Sequence, residues 1–205
     1  MAVNSLRRFG VLLVLVASLM VATTVHAQEE ERVRAYRDIY FGMSADELDQ
    51  AVRDDSNLST TLNFSPSSFG ASATIGGRRY YLSFKFFEDQ LYEVVFIGPN
   101  YRASYFESAV EDTNTLAGII EETYGPPPFL RKLSFIDIRS GYVSFSHMWF
   151  PDDIGEQKRI RIGISEHDFK YSSYMVIDYP PLVQAKEQAE TAQKEQTIKE
   201  HIGDF

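Results

Sequence analysis

Histidine is the side chain best suited to acid–base or metal chemistry near neutral pH, and this chain contains four. His147 alternates with Phe145 and Trp149, which places it on the apolar side of a predicted strand and is typical of a core histidine. His167 lies in a polar turn, and the sequence offers no identifiable further ligands for a metal there. These histidines indicate neither a catalytic base nor a metal site.

An acidic turn formed by Asp152, Asp153 and Glu156 is the next candidate for chemistry. A calcium loop needs oxygen ligands at alternating positions, and this turn lacks that pattern. The chain has no Cys, no glycine-rich phosphate loop and no nucleophile elbow. We therefore predict a non-catalytic protein without a cofactor or metal. The alternative is a small-ligand-binding or metal-dependent enzyme that uses the acidic turns and His167.

The start of the chain has the three-part pattern of a secretory signal peptide. Arg7 and Arg8 precede an apolar run, and Val25-His26-Ala27 offers a cleavage point before Gln28. No Cys follows the run, so a lipid anchor is not expected. This leader predicts a periplasmic or secreted protein. The formal net charge of −9 argues against nucleic acid or anionic lipid as the main partner and leaves a protein partner as the expectation.

The stretch from Arg78 to Pro99 predicts the hairpin around which the sheet is organised. A three-residue tip, Glu88 to Gln90, would pair Phe87 with Leu91. The register that follows sets Lys85 opposite Glu93 and places apolar residues opposite one another. The other pairs expected on the apolar side are Phe86 with Tyr92, Phe84 with Val94 and Leu82 with Phe96.

Two helices are predicted from capping boxes that begin at Ser44 and Ser104. One or two short strands are expected between residues 60 and 77, after the first helix. Four antiparallel strands are expected after the second helix, at residues 133–138, 142–150, 159–164 and 173–179.

Two features recur at nearly the same spacing and predict an internal duplication. The capping boxes lie sixty residues apart, and Tyr81-Leu82-Ser83-Phe84 is matched by Tyr142-Val143-Ser144-Phe145 sixty-one residues later. Two unrelated segments of the same build remain the alternative. The pattern predicts an α+β fold in which two tandem helix-then-antiparallel-sheet units form one sheet, with helices packed on one face and a C-terminal helix. The expected segments are a signal peptide (1–27), a charged lead-in (28–38), one domain (39–180, with units 39–99 and 100–180) and a polar helical tail (181–205).

The segment Phe41-Gly42-Met43-Ser44-x-x-Glu47-Leu48 resembles the helix-opening motif of the SmpA/OmlA outer-membrane assembly lipoproteins. The tandem helix-plus-sheet pattern resembles the β-lactamase inhibitory protein fold. The resemblance covers about residues 39–180 and implies a non-catalytic protein whose open sheet face meets another protein. The sequence lacks the lipidated Cys of the first group and the disulfide cysteines of the second.

Strand alternation predicts which side chains would form that open face. Leu82, Phe84 and Phe86 are expected to face the helices, as are Val143, Phe145, His147 and Trp149 in the second unit. Tyr and Arg are the residues that most often anchor protein interfaces. An ordinary solvated sheet face remains the alternative. The outward residues predicted to bind a partner are Tyr81, Lys85, Tyr142, Arg159 and Arg161.

Overall fold

The helices and strands are described by a computed structural model for residues 32–60, 68–154 and 157–202. The predicted signal peptide and Glu156 lie outside these residues. The compact unit that contains the described residues from Val33 onwards begins at that residue. Within the described ranges, no helix has the length and apolar character needed to cross a membrane.

The chain is α+β, as predicted, and most of its strands belong to one antiparallel sheet. A separate hairpin consists of β1 (Arg34–Tyr36) and β2 (Ile39–Tyr40). The helices are α1 (Ala45–Asp54), α2 (Phe106–Tyr124), α3 (Pro151–Ile154) and α4 (Pro180–Ile202), with 3-10 turns at Ala103–Tyr105 and Phe135–Asp137. The sheet contains β3 (Leu58–Thr60), β4 (Ser68–Ile75), β5 (Arg78–Phe87), β6 (Gln90–Ile97), β7 (Tyr101–Arg102), β8 (Phe129–Leu130), β9 (Val143–Trp149), β10 (Arg159–His167) and β11 (Lys170–Asp178).

The strand order places the two halves of the chain side by side in this sheet. Its main path runs β3-β4-β5-β6-β11-β10-β9-β8, and β7 pairs with β11. The last strand of the first half, β6, therefore pairs with the last strand of the second half, β11, and Val95 lies opposite Val176 at this junction. One continuous sheet results, so a single face of it extends across both predicted units.

The first helix forms as its sequence predicts. The Ser44 side chain accepts a hydrogen bond from the Glu47 backbone, and the Glu47 side chain accepts one from the Ser44 backbone, which completes the capping box. The segment predicted to be a charged lead-in (28–38) departs from that prediction. It includes strand β1, whose Ala35 is buried in the core. A small apolar side chain between charged neighbours can therefore still be drawn into the core by tertiary packing.

The central hairpin confirms the register predicted for Leu82, Phe84 and Lys85 but corrects its tip, where Phe86 pairs with Leu91 instead of Tyr92. Lys85 lies opposite Glu93, and their side chains form a 2.6 Å ion pair. The turn has two residues, Glu88 and Asp89, both with positive φ, and Phe87 pairs with Gln90 instead of Leu91. Tyr92 is then an extra residue in β6, a β-bulge that restores the register predicted beyond it.

A second bulge corrects the facing predicted for β9. Ile162 pairs with His147, but the next residue, Gly163, pairs with Phe145, so Ser146 is the extra residue. The bulge reverses the alternation on its N-terminal side. His147 and Trp149 face the helices as predicted, whereas Phe145 turns to the opposite face. The prediction that Val143 and Phe145 face inward is therefore wrong, because Val143 pairs with Ser165 on that opposite face.

The second helix begins differently from its prediction. A 3-10 turn covers Ala103–Tyr105, and α2 begins at Phe106 without a side-chain cap, so the expected capping box at Ser104 does not form. The strand expected at residues 133–138 is also absent from the described segment there. Instead, Ser134 and Asp137 cap a 3-10 turn, and the edge strand β8 lies earlier, at Phe129–Leu130. Serine and aspartate favour such local caps over strand pairing.

The matching tetrapeptides do not occupy equivalent places in the sheet. Tyr81 to Phe84 lie in β5, which is next to β6, whereas Val143 to Phe145 lie in β9, which is separated from β11 by β10. In the order of the sheet, the counterpart of β5 is β10. The tetrapeptide match therefore gives no support to the duplication, which stays a prediction.

The core lies between the sheet and helices α1 and α2. Its main cluster combines Leu48 of α1 and Leu116 of α2 with sheet residues such as Phe84, Trp149 and Ile162. Trp149 is fully buried, and its Nε1 donates a 2.9 Å hydrogen bond to the carbonyl of Gly125 at the end of α2. We call this side of the sheet the inner face. The helices thus cover one face of the sheet, as predicted.

Candidate functional site

The candidate site is the face of the sheet opposite α1 and α2, which we call the outer face. Residues paired directly across neighbouring strands point to the same side, so the register assigns every strand residue to a face. The outer face contains Arg79, Tyr81, Ser83 and Lys85 on β5; Glu93, Val95 and Ile97 on β6; Tyr174, Val176 and Asp178 on β11; Arg159, Arg161 and Gly163 on β10; and Phe145 and Met148 on β9.

An aromatic row crosses the outer face from β5 to β9. Its members are successive partners in the register, interrupted only by Gly163 on β10. All are partly exposed, Tyr81 most of all at 37%, which leaves aromatic and aliphatic surface available to a partner. The row consists of Tyr81, Ile97, Tyr174 and Phe145.

Two valines lie beside this row at the junction of the two halves of the sheet. Val95 and Val176 are paired and buried, yet they belong to neither hydrophobic cluster of the core. They form an apolar floor on the outer face, flanked by Ser83 on one side and Arg161 on the other. Each valine is only 5% exposed, so the floor adds little accessible surface to the outer face.

A charge network crosses the outer face next to the valines. Asp178 is at its centre: Arg159 approaches it with Nε and Nη2, both at 3.1 Å from Oδ1, and Arg161 Nη2 lies 2.7 Å from Oδ2. Arg161 Nη2 also lies 3.8 Å from Glu93, which pairs with Lys85. We call these five residues the Asp178 network.

The Asp178 carboxylate is completely buried, and this burial has the largest effect on its pKa. Burial raises the pKa of Asp178 above its ordinary value, although the Arg161 and Arg159 guanidiniums act in the opposite direction. A buried carboxylate of this kind is tolerated only because both guanidiniums compensate its charge. Removing Arg159 or Arg161 would therefore disturb folding as well as any binding, so neither residue is a clean probe of binding.

Arg161 also contacts the aromatic row through its guanidinium group. Its guanidinium carbon lies 4.8 Å from the centre of the Phe145 ring, within the range of a cation–π interaction. Its Nε is buried and has no hydrogen-bond partner among the described residues. The contact links the Asp178 network to the aromatic row and holds the Arg161 side chain against the sheet.

The structure brings together four of the five residues predicted to bind a partner. Tyr81, Lys85, Arg159 and Arg161 lie on the outer face. Tyr142 does not join them: it lies in a bend before β9, is 71% exposed and is not the counterpart of Tyr81. The bulge at Ser146 and the true strand order explain this difference.

Sequence reasoning missed several residues of the outer face. The outward position of Phe145 depends on the bulge, which no local sequence pattern indicates. Tyr174, Val176 and Asp178 could have been found, because they alternate with the inward Met175 and Ile177 along β11. The burial of Asp178 could not be predicted, since its two arginine partners lie on another strand.

The structure does not bring together the acidic turns that the alternative prediction of an enzyme would use. Asp152 lies on α3, just before the start of β10, whereas His167 lies at the far end of that nine-residue strand. A strand of this length separates its ends by about 26 Å. Across the described parts of the chain, no group of three or more His, Cys, Asp or Glu side chains is placed to hold a metal. No observation on the described residues supports the alternative prediction of an enzyme.

His147 lies on the inner face and is partly buried. Its ring stacks on Trp149 with 6.3 Å between centroids, and its Nδ1 lies 2.7 Å from Ser146 Oγ. Burial holds the pKa of His147 below its ordinary value, although Glu121 acts in the opposite direction. The folded protein therefore takes up a proton here less readily than the unfolded chain does.

This difference predicts a pH dependence of folding. The stability due to neutral His147 is present above the ordinary histidine pKa of about 6.5 and is lost as the pH falls from there towards the lower pKa of the folded state. His147→Gln is expected to make the free energy of unfolding fall less steeply between about pH 7 and about pH 5. Urea denaturation at each pH measures this, and His167→Gln at the exposed end of β10 is the control. Equal slopes for His147→Gln and the parent would contradict the expectation.

Comparison with known proteins found no similarity: no family model, no curated protein and no solved structure matches this chain. The resemblance to the outer-membrane assembly lipoproteins and to the β-lactamase inhibitory protein fold therefore stays a prediction from the sequence.

Proposed function

We propose that this protein is an exported, non-catalytic protein-binding or scaffolding module of the bacterial cell envelope and that it works through its outer face. The observation that carries the proposal is the aromatic row. The helices of the core pack against the inner face and leave these side chains on the other side. Apolar surface of this kind, bordered by polar groups, marks interaction sites on soluble proteins.

The composition of the outer face supports a protein as the partner. Tyrosine, phenylalanine and arginine are enriched where interfaces concentrate their binding energy, because they bury large areas and keep polar handles. Tyr81 and Tyr174 lie on opposite sides of Ile97, and Arg161 covers Phe145. A rigid antiparallel sheet holds these groups, so little conformational entropy would be lost on binding. The envelope location rests on the predicted signal peptide.

The proposal is tested with Tyr81→Ala, which changes the aromatic row without touching the Asp178 network. If Tyr81 is central to the interface, its loss is expected to weaken binding by about 2 kcal/mol while changing folding stability by less than about 1 kcal/mol. The measurement is quantitative capture of partners from an envelope extract by immobilised parent and variant, with melting temperatures recorded in parallel.

The matched control is Tyr105→Ala, another exposed tyrosine that lies in the 3-10 turn before α2 and outside the outer face. It is expected to capture the same partners as the parent does. Undiminished capture by Tyr81→Ala, and by the companion variant Ile97→Ala, would show that the outer face is not the working surface.

A further inference from the structure

The charge that a partner can reach on the outer face differs in sign from the charge of the whole chain. The side chains of Lys85, Arg159 and Arg161 are 47%, 30% and 21% exposed, and Arg79 is exposed beside Tyr81 on the same face. The two carboxylates of the Asp178 network, Glu93 and Asp178, are only 13% and 0% exposed. The exposed charges of the Asp178 network and of Arg79 are therefore cationic, although the chain carries a formal net charge of −9.

The arginines keep donors available beyond their internal ion pairs. Arg159 uses Nε and Nη2 on Asp178, and Arg161 uses Nη2. Among the described residues, Nη1 of Arg159 and of Arg161 donates no hydrogen bond. Asp178 thus holds both guanidiniums in place, and each keeps a donor group outside its hydrogen bonds to Asp178. A carboxylate is the group that matches such a held, planar cation, and less side-chain entropy is lost because the arginines are already ordered.

The size of the anionic partner is limited by the rest of the molecule. A nucleic acid or an anionic membrane would meet the field of the whole acidic protein and be repelled by it. A short segment of a protein would feel mainly the groups within about 8–10 Å, which is the screening length at physiological salt. The local field of the outer face favours carboxylates, so a compact acidic segment fits where an extended polyanion does not.

Apolar side chains must accompany those carboxylates. The aromatic row lies next to Arg161 in the register of the sheet. A segment that carried only charge would leave Tyr81, Ile97 and Tyr174 without a contact. Burying them requires aliphatic or aromatic side chains one or two positions from the acidic ones.

We propose that the outer face binds a protein segment in which Asp or Glu residues adjoin aliphatic or aromatic ones, with Arg159, Arg161 and Lys85 receiving the carboxylates and the aromatic row receiving the apolar side chains. This inference rests on the proposed function of the outer face and adds the chemistry of the partner.

Selection from a random library of displayed dodecamer peptides on the immobilised protein tests this directly. Peptides that contain Asp or Glu next to Leu, Ile, Phe, Tyr or Trp are expected to be enriched. One selected peptide is then synthesised, and its carboxylates are replaced by the corresponding amides. Loss of a charge-assisted contact is worth about 1.5–3 kcal/mol, so the amide peptide should bind about 10-fold to 100-fold more weakly. Binding of the acidic peptide should also weaken as salt is raised.

The variants separate failure of this inference from failure of the proposed function. Enriched peptides should bind Tyr105→Ala as they bind the parent and should bind Tyr81→Ala and Ile97→Ala at least several-fold more weakly. No enrichment over a blank surface, or equal binding to all these variants, overturns the proposed function and the inference with it. Enriched peptides that need the outer face but are basic, uncharged or acidic without apolar residues overturn only the inference.

Two further measurements test whether the outer face has a different occupant. Sedimentation with phosphatidylglycerol vesicles that is lost in Tyr81→Ala would show a membrane as the occupant and overturn the inference. Self-association in analytical ultracentrifugation that is lost in the same variant would show a second copy of the chain there, with the same consequence.

Discussion

Replacing Phe84 with alanine is expected to lower the free energy of unfolding by about 3–5 kcal/mol, the usual cost of emptying a buried phenylalanine site. Phe84 is fully buried on the inner face, opposite Val94 of β6 and with its ring 5.9 Å from that of Phe69. Its neighbours belong to regular strands and to the main core cluster, so they cannot collapse far into the space left behind.

Phe145→Ala is the matched comparison, because the two residues end the tetrapeptides that the sequence pairs. Phe145 lies on the outer face, is only partly buried and contacts the Arg161 guanidinium. Its loss is expected to cost about 1 kcal/mol, from a cation–π contact and a modest buried area. Urea denaturation followed by the fluorescence of the single tryptophan measures both variants. Equal losses for Phe84→Ala and Phe145→Ala would place Phe145 on the inner face.

Gly163→Ala is expected to cost about 3 kcal/mol, at the upper end of the range for overpacking. Gly163 lies opposite the bulge at Ser146, where β9 comes unusually close to β10. A Cβ at this position would collide with the backbone oxygen of Ser144 and would meet the Cα of Phe145 at 2.7 Å. Both are backbone atoms, so the strands themselves would have to separate to make room.

Gly118→Ala is the control for this prediction. Gly118 lies in α2, and a Cβ added there would meet nothing within 4 Å. Alanine favours the helix over glycine, so this variant is expected to be as stable as the parent or more stable by about 0.5–1 kcal/mol. The free energies of unfolding from urea titrations compare the two. A Gly163→Ala variant with the stability of the parent would contradict the close approach of β9 and β10.

The Gly163 prediction concerns the outer face as well as stability. The bulge that requires Gly163 is the feature that turns Phe145 into the aromatic row. If Gly163→Ala removes the bulge, the row loses its β9 member. The backbone geometry of two strands therefore decides one of the side chains offered to a partner.

Much of the outer face followed from strand alternation. Tyr81 and Lys85 lie where the period of two along β5 predicts, and Arg159 and Arg161 do so along β10. Tyr142 was misplaced because its assignment depended on a tetrapeptide match between strands with different positions in the sheet. Phe145 was misplaced because a single extra residue reverses every side chain beyond it.

The sequence by itself determined the features that depend on near neighbours along the chain. The Ser44–Glu47 capping box and the register that sets Lys85 against Glu93 are fixed by residues at most ten positions apart, through hydrogen bonds and alternation within one hairpin. Only the tertiary structure decided the junction of β6 with β11, the bulge opposite Gly163 and the burial of Asp178 between two arginines. These features join strands that are distant in sequence or depend on backbone spacing between strands, and their energies exist only once the sheet is assembled.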